Sequence, residues 1–163
     1  MNKKVLFITQ SAVIAALYVV LTFVSSAMGL ASGAIQVRLS ELLTVLPYFT
    51  PAAIPGLTIG CLLANLLTGC AGLDICFGTI ATLIGAIGAY LLRKYKWLVP
   101  IPAILSNALI VPWVLQTAYG VPDSYIYLMA TVGIGEIISA GVLGTLTLNL
   151  LNRHRSTIFG AQE

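Results

Sequence analysis

Charged residues are so scarce in this chain that they leave long stretches with none, such as residues 5–37 and 42–73. Only 8% of the 163 residues are charged, whereas 59% are hydrophobic. A soluble domain carries about 25% charged residues, and a chain this apolar would expose large hydrophobic patches in water. The composition also lacks the high charge of a disordered chain. It therefore predicts an integral membrane protein.

Apolar segments of about 20 residues, the length of a membrane-spanning helix, recur along the sequence. The first is longer than the apolar region of a signal peptide, so we interpret it as a retained span rather than a cleaved signal. Turn residues and prolines, which break helices, separate the segments. Residues 1–163 are thus expected to form a single transmembrane domain. The predicted spans are residues 5–28, 37–49, 54–69, 75–92, 98–118 and 124–151.

The positions of the basic residues predict an orientation. With six spans, seven of the 8 Lys and Arg residues fall on one side, and only Arg38 falls on the other. The positive-inside rule then places both termini in the cytoplasm of a multi-pass protein of the cell membrane. The basic residues form no single stripe of the kind that binds nucleic acid, so no nucleic-acid partner is expected.

Ionisable residues inside apolar spans are candidates for a functional site, because burying a charge in a bilayer is costly. Glu136 lies near the middle of the sixth predicted span, among small residues. Arg38 and Glu41 are three residues apart near the outer end of the second span, which puts them on one face, with Gln36 beside them. Structural alternatives stay open: a carboxyl that joins two helices for Glu136, and a self-neutralising interfacial pair for the other two.

Polar residues in and after the third span are further candidates. Asn65, like Asn107 in the fifth span, carries an amide that donates and accepts at once and suits the edge of a heterocycle; helix–helix hydrogen bonding is the alternative. Asp74 is interpreted as an N-cap of the fourth span or as a ligand contact. Cys70 and Cys76 form no C-x-x-C pair, and a disulfide between them is left open. No metal site is predicted.

The sequence contains none of the common catalytic motifs. It has no G-x-x-x-x-G-K-[ST] and no H-E-x-x-H, and its one histidine leaves no Ser-His-Asp arrangement within the spans. An enzyme is therefore disfavoured and no cofactor is expected. A membrane scaffold without a ligand and a small intramembrane enzyme stay as alternatives to a transport protein.

Several motifs resemble the QueT transporter family over nearly the whole chain. They are Gln36-Val-Arg38-Leu-Ser-Glu41, Leu46-Pro-Tyr-Phe-Thr-Pro-Ala-Ala-Ile-Pro-Gly56, Ala64-Asn65-Leu, Asn107-Ala-Leu-Ile-Val111 and Gly135-Glu136. QueT proteins are the substrate-binding S components of energy-coupling factor (ECF) transporters for 7-deazaguanine queuosine precursors. The resemblance implies an all-α bundle of six transmembrane helices that binds substrate from outside. An S component for another vitamin-like heterocycle is the closest alternative.

The resemblance also implies partners and roles. A T component and two ATPases would energise transport, and Ala12 and Ala16 match the alanine-rich face through which S components dock on the T component. Glu41 or Glu136 would accept two adjacent N–H donors of the base edge, and the other would pair with an aminomethyl cation. Aromatic rings would stack on the base. The expected substrate-binding residues are Gln36, Arg38, Glu41, Asn65, Asp74, Phe77, Asn107, Trp113, Tyr119 and Glu136.

Overall fold

The computed structural model describes residues 2–31 and 35–155, and within these ranges the chain is helical with no strand. Residues 1, 32–34 and 156–163 lie outside the described residues. Two 3₁₀ helices (Leu39–Tyr48 and Lys96–Leu98) and a π-helix (Ile137–Leu143) accompany the α-helices. The α-helices are α1 (Lys3–Ala27), α2 (Ala53–Leu67), α3 (Gly72–Leu91), α4 (Ile101–Tyr119), α5 (Tyr125–Glu136) and α6 (Gly144–Arg153).

Within the described ranges, four helical segments are long and apolar enough to cross a membrane. They are α1, α3, the segment Lys96–Tyr119 and the segment Tyr125–Arg153, in agreement with the first, fourth, fifth and sixth predicted spans. Their outer surfaces carry large apolar side chains; Leu91 and Ile126 are 70% and 73% exposed. Surfaces of this kind are stable against lipid and not against water, which confirms the prediction of a multi-pass membrane protein.

The predicted second span, residues 37–49, folds as the 3₁₀ helix Leu39–Tyr48 instead of an α-helix. Seven of its ten residues are buried, and it packs against α1, α3 and α6. Ten residues at about 2.0 Å per residue extend only about 20 Å, so this segment forms the centre of the bundle rather than a lipid-facing helix. The count of six spans stays a prediction, because this helix and α2 are both short.

Helices α1 and α2 pack closely because α2 presents glycine to α1. A Cβ atom at Gly60 would lie 2.7 Å from the Cβ of Tyr18 and 3.0 Å from the Cα of Ala15. Small residues allow such close approach between membrane helices. The contact fixes Tyr18 in the interior of the bundle, where its side chain is 2% exposed.

Two cavities mark the two ends of the bundle. Asp74, in the first turn of α3, lines one cavity, and Tyr90, in the last turn, lines the other; α3 has 20 residues and is therefore about 30 Å long. The 3₁₀ helix likewise starts after Arg38 at the first cavity and ends with Tyr48 at the second. The chain thus runs back and forth between these two ends.

Candidate functional site

The cavity at the Arg38 end has a volume of about 390 Å³ and is lined mainly by polar residues. This volume falls in the range of ligand pockets, about 300–1,000 Å³. Five residues predicted from the sequence line it: Gln36, Arg38, Asn65, Asp74 and Tyr119. The other lining residues are Tyr18, Thr22, Ser25, Ser26, Ala31, Ser40, Thr68, Cys70, Leu115 and Val121.

Serine hydroxyls from two helices hold the irregular segment before the 3₁₀ helix in place. The backbone N–H of Leu39 donates to Oγ of Ser25 (2.8 Å), and that of Arg38 donates to Oγ of Ser139 (3.1 Å). Non-helical backbone at membrane depth needs partners of this kind, because lipid provides none. These two bonds fix where the Arg38 side chain enters the cavity.

The same segment lies directly against α5 at a glycine. A Cβ atom at Gly135 would overlap the backbone carbonyl oxygen of Gln36, so a residue without a side chain is required for this contact. The π-helix Ile137–Leu143 follows immediately and contains Ser139. Segments of π-helix often occur at functional sites, and here the segment contributes the Ser139 hydroxyl that accepts from the backbone of Arg38.

Glu41 lies beneath the cavity and is only 2% exposed. The hydroxyl of Tyr18 donates to its Oε1 atom at 2.5 Å, and the Nδ2 atom of Asn107 donates to its Oε2 atom at 3.4 Å. The structure therefore brings the predicted residues Glu41 and Asn107 together. It joins them to the cavity through Tyr18, which lines it.

Glu136 belongs to the same buried cluster. It is 6% exposed and lies within electrostatic reach of Glu41 and Arg38 and beside Asn107. Its Oε2 atom is buried without a hydrogen-bond partner among the described residues. A buried carboxylate oxygen without a partner is unusual and costly, and Glu136 does not itself line the cavity.

Asp74 faces the cavity from the start of α3 and is held by Tyr119. The hydroxyl of Tyr119 donates to Oδ2 of Asp74 (2.8 Å) and accepts from the backbone N–H of Ala71 (3.1 Å). The amide of Asn65 donates to the backbone oxygen of Asp74 (3.4 Å). The N-cap interpretation of Asp74 was wrong, because Ala71 occupies the N-cap position of α3.

Acidic side chains outnumber basic ones in this cluster of described residues. The guanidinium of Arg38 interacts electrostatically with the carboxylates of Glu41, Asp74 and Glu136. One basic group therefore faces three acidic groups. Buried charges need partners, so the site is suited to a ligand that brings a positive charge or several N–H donors.

Two predicted aromatic residues lie outside this arrangement. Phe77 and Trp113 contact each other edge to face, with ring centroids 4.8 Å apart, and neither is among the residues that line the cavity. Trp113 is 41% exposed on the surface of α4.

Cys61, Cys70 and Cys76 are all free thiols, so the structure contains no disulfide between the last two.

Sequence reasoning missed Tyr18, Ser25, Ser40 and Ser139. The hydroxyl of Ser40, which lines the cavity, is buried without a hydrogen-bond partner among the described residues. Hydroxyl residues in apolar helices commonly bond to their own backbone, as Ser25 does to the carbonyl of Leu21. The only indication in the sequence was therefore a hydroxyl group within an apolar segment, which does not distinguish a residue of the site from one that bonds to its own helix.

A third depression, of about 540 Å³, lies between α1 and α2 and is almost entirely apolar. Ala12 and Ala16 line it and are exposed, and Ala15 forms its floor beside them. The residues that line its α2 side are Pro55, Ile59 and Leu63. The two alanines predicted as a docking face thus border a shallow apolar groove.

Comparison with known proteins gives the following matches. The family model described as QueT transporter matches residues 8–153. The "Queuosine precursor transporter QueT" of Lactococcus lactis subsp. cremoris (strain MG1363) is 34% identical over 96 residues, which are 58% of this chain and 56% of that protein. The match therefore spans about half the length of that relative. No solved structure matches this chain.

Proposed function

This chain belongs to the QueT transporter family, and on that basis we propose that it is the substrate-binding S component of an ECF importer. The proposed substrate is a queuosine precursor of the 7-deazaguanine type. The chain itself binds the substrate in the cell membrane. A separate module, consisting of a T component and two ATPases, supplies the energy for uptake.

The single observation that carries the proposal is the polar cavity of about 390 Å³ at one end of an apolar bundle. Its wall places Arg38, Asp74 and Asn65 around one space, with Glu41 and Glu136 directly beneath. A small heterocycle with several N–H donors needs converging polar groups of this kind. A scaffold subunit would have no need for them.

We assign recognition of the base edge to Asp74 and Arg38. A 7-deazaguanine edge presents two adjacent N–H donors and one carbonyl oxygen. The Asp74 carboxylate accepts a bond from Tyr119 through Oδ2 and has lone pairs left for both ligand donors. The guanidinium of Arg38 is the matching donor to the carbonyl.

The acidic pair Glu41 and Glu136 supports a positively charged substituent on the base. With Arg38 as the counter-ion of Asp74, the two glutamates would carry the excess negative charge of the cluster when both are ionised. An aminomethyl cation would offset that charge, whereas an uncharged substituent would not. Tyr119, which lines the cavity, is better placed to stack on the base than Phe77 or Trp113.

Calorimetry on the purified chain in detergent tests the function directly. The panel contains an aminomethyl 7-deazaguanine, the same base with an uncharged substituent, guanine and common vitamins. We expect saturable binding confined to the deazaguanines, with the aminomethyl compound at least tenfold tighter, or about 1.4 kcal/mol. Binding of a vitamin instead would show that the proposed substrate is wrong. If the folded protein bound none of these compounds, a membrane scaffold without a ligand would be the better interpretation.

A Glu136→Gln variant should weaken binding of the aminomethyl compound about tenfold while the protein stays folded. The substitution keeps the size of the side chain and removes the carboxyl group that would pair with the aminomethyl cation, at a cost of about 1.4 kcal/mol. Calorimetry and thermal unfolding of the same preparation measure both effects. Undiminished binding would exclude Glu136 as a partner of the aminomethyl group. An unfolded variant would indicate that Glu136 is purely structural.

We place the cavity on the outside and the termini in the cytoplasm. Arg93, Lys94 and Arg155 lie around the opposite end of the bundle, as the positive-inside rule requires of the cytoplasmic side. The groove beside Ala12 and Ala16 is then the docking surface for the T component. Its small side chains permit close contact between helices.

An Ala16→Trp variant should reduce precursor uptake at least tenfold in cells that contain the complete importer. The indole would fill the groove and block close helix contact, whereas the substrate cavity lies at the end of the bundle and should bind precursor normally. Leu17→Trp is the matched control, because Leu17 is 45% exposed and does not line the groove. Equal uptake by both variants would show that the groove beside Ala12 and Ala16 is not the docking surface.

A further inference from the structure

A second polar cavity, of about 250 Å³, lies at the end of the bundle opposite the substrate site. It is bordered by residues 47–51, which are the end of the 3₁₀ helix and the turn that follows it, by the end of α3 with the residues after it, and by Arg155 after α6. Arg93, Lys94 and Arg155 line it, and none of its described lining residues is acidic. Three cationic groups around one depression, without a nearby acidic residue in its wall, create a site for an anion.

Aromatic rings hold two of these cations against the wall. The Cζ atom of Arg93 lies 3.8 Å from the ring centroid of Tyr90, and its Nη1 atom donates to the Tyr90 carbonyl at 3.2 Å. The Cζ atom of Arg155 lies 5.8 Å from the ring centroid of Tyr48. Cation–π contacts orient a guanidinium through its face and leave its other in-plane N–H groups for another partner. Those donors match the geometry of a phosphate.

Apolar surface continues from the same end of the bundle. Leu91, at the end of α3, is 70% exposed, and Trp97, shortly after Lys94, is 71% exposed. Tryptophan at such a position is typical of the membrane–water interface. A ligand here thus meets cationic groups on one side and lipid-facing side chains on the other.

We infer that this cavity binds the phosphate of an anionic membrane lipid, whose acyl chains lie along the exposed apolar surface beside it. Basic pockets between membrane helices on the cytoplasmic side bind such headgroups. The inference does not depend on the identity of the transported substrate, because the two cavities lie at opposite ends of α3.

Native mass spectrometry of the purified full chain in detergent tests the inference with three probes. We expect dioleoylphosphatidylglycerol to bind with one molecule per chain and at least tenfold more tightly than dioleoylphosphatidylcholine. Inorganic phosphate at millimolar concentration should not displace it. Displacement by phosphate would leave an anion site but overturn the lipid as its occupant, and equal binding of the two lipids would overturn the site.

Charge-matched variants locate the site. One juxtamembrane charge is worth about fivefold in binding, so Arg93→Gln with Arg155→Gln should weaken phosphatidylglycerol binding about thirtyfold. Lys3→Gln with Lys4→Gln removes the same charge outside the cavity and should change binding less than threefold. Equal losses would show only a general charge effect and overturn the inference. If the first pair does not fold, Lys94→Gln against Lys96→Gln makes the same comparison, with about fivefold expected for the former.

Discussion

An Asp74→Asn variant should bind the 7-deazaguanine precursor at least 100-fold more weakly than the unchanged protein. Asp74 is 6% exposed, and Tyr119 fixes its carboxylate at the cavity wall. Asparagine has nearly the same volume but presents an NH₂ group where the ligand also presents a donor. Two opposed buried donors without acceptors, together with the lost charged hydrogen bond, cost about 3 kcal/mol or more, which corresponds to at least 100-fold in affinity.

The fold of this variant should be unaffected, because the amide oxygen of asparagine can still accept from the Tyr119 hydroxyl. We expect its free energy of unfolding to change by no more than about 1 kcal/mol. Asp123→Asn is the matched control, since it removes the same charge from an exposed position and should bind precursor normally. Calorimetry and thermal unfolding on both proteins make the comparison. Binding within fivefold of normal by a folded Asp74→Asn protein would transfer recognition of the base edge to Glu41.

This assignment differs from the one that the sequence favours. In the sequence, Glu136 and Glu41 lie within predicted spans and Asp74 lies just outside one. The two glutamates are therefore the stronger candidates for recognition of the base edge, because the sequence indicates burial only through position along a span. The structure places the two glutamates beneath the cavity and Asp74 on its wall. Which carboxylate faces the open space depends on Tyr18 and Tyr119, which come from other helices and cannot be paired with their partners by spacing.

The helices themselves follow from the sequence where they are long and apolar. The predicted boundaries of the first, fourth, fifth and sixth spans differ from α1, α3, α4 and the segment Tyr125–Arg153 by only a few residues. The 3₁₀ helix Leu39–Tyr48 could not be distinguished from an α-helix, because ten residues are too few for the spacing of apolar positions to separate the two.

The local structure around Glu136 was also beyond the sequence. The π-helix Ile137–Leu143 follows a stretch with ordinary helical composition. Its position coincides with the hydrogen bond from the backbone of Arg38 to Ser139, across 101 residues of chain. Tertiary contacts of this kind override the local preference for a regular α-helix. Here they are made with residues 36–40, which form part of the cavity wall.

Because the cavity wall depends on these contacts, a substitution at Gly135 should have a large effect on both stability and binding. A Gly135→Ala variant should lose about 2 kcal/mol of stability and about 100-fold in precursor affinity. The new methyl group would overlap the carbonyl oxygen of Gln36, so the backbone must move, at the cost of about 1–3 kcal/mol that is usual for overpacking. Moving it shifts Gln36 and Arg38 together, and the loss of two polar contacts to the ligand accounts for the change in affinity.

Gly133→Ala separates this contact from the general effect of the substitution. Gly133 lies two residues earlier in α5, and the nearest atom to a Cβ there is the Cβ of Ala108 at an ordinary 3.8 Å. Alanine in place of glycine favours a helix by about 1 kcal/mol, so this variant should be as stable as the unchanged protein or more so, with normal binding. Thermal unfolding and calorimetry of both variants in one detergent measure the difference. If Gly135→Ala proved as stable and as tight as Gly133→Ala, the close contact between α5 and the cavity wall would not hold the site in place.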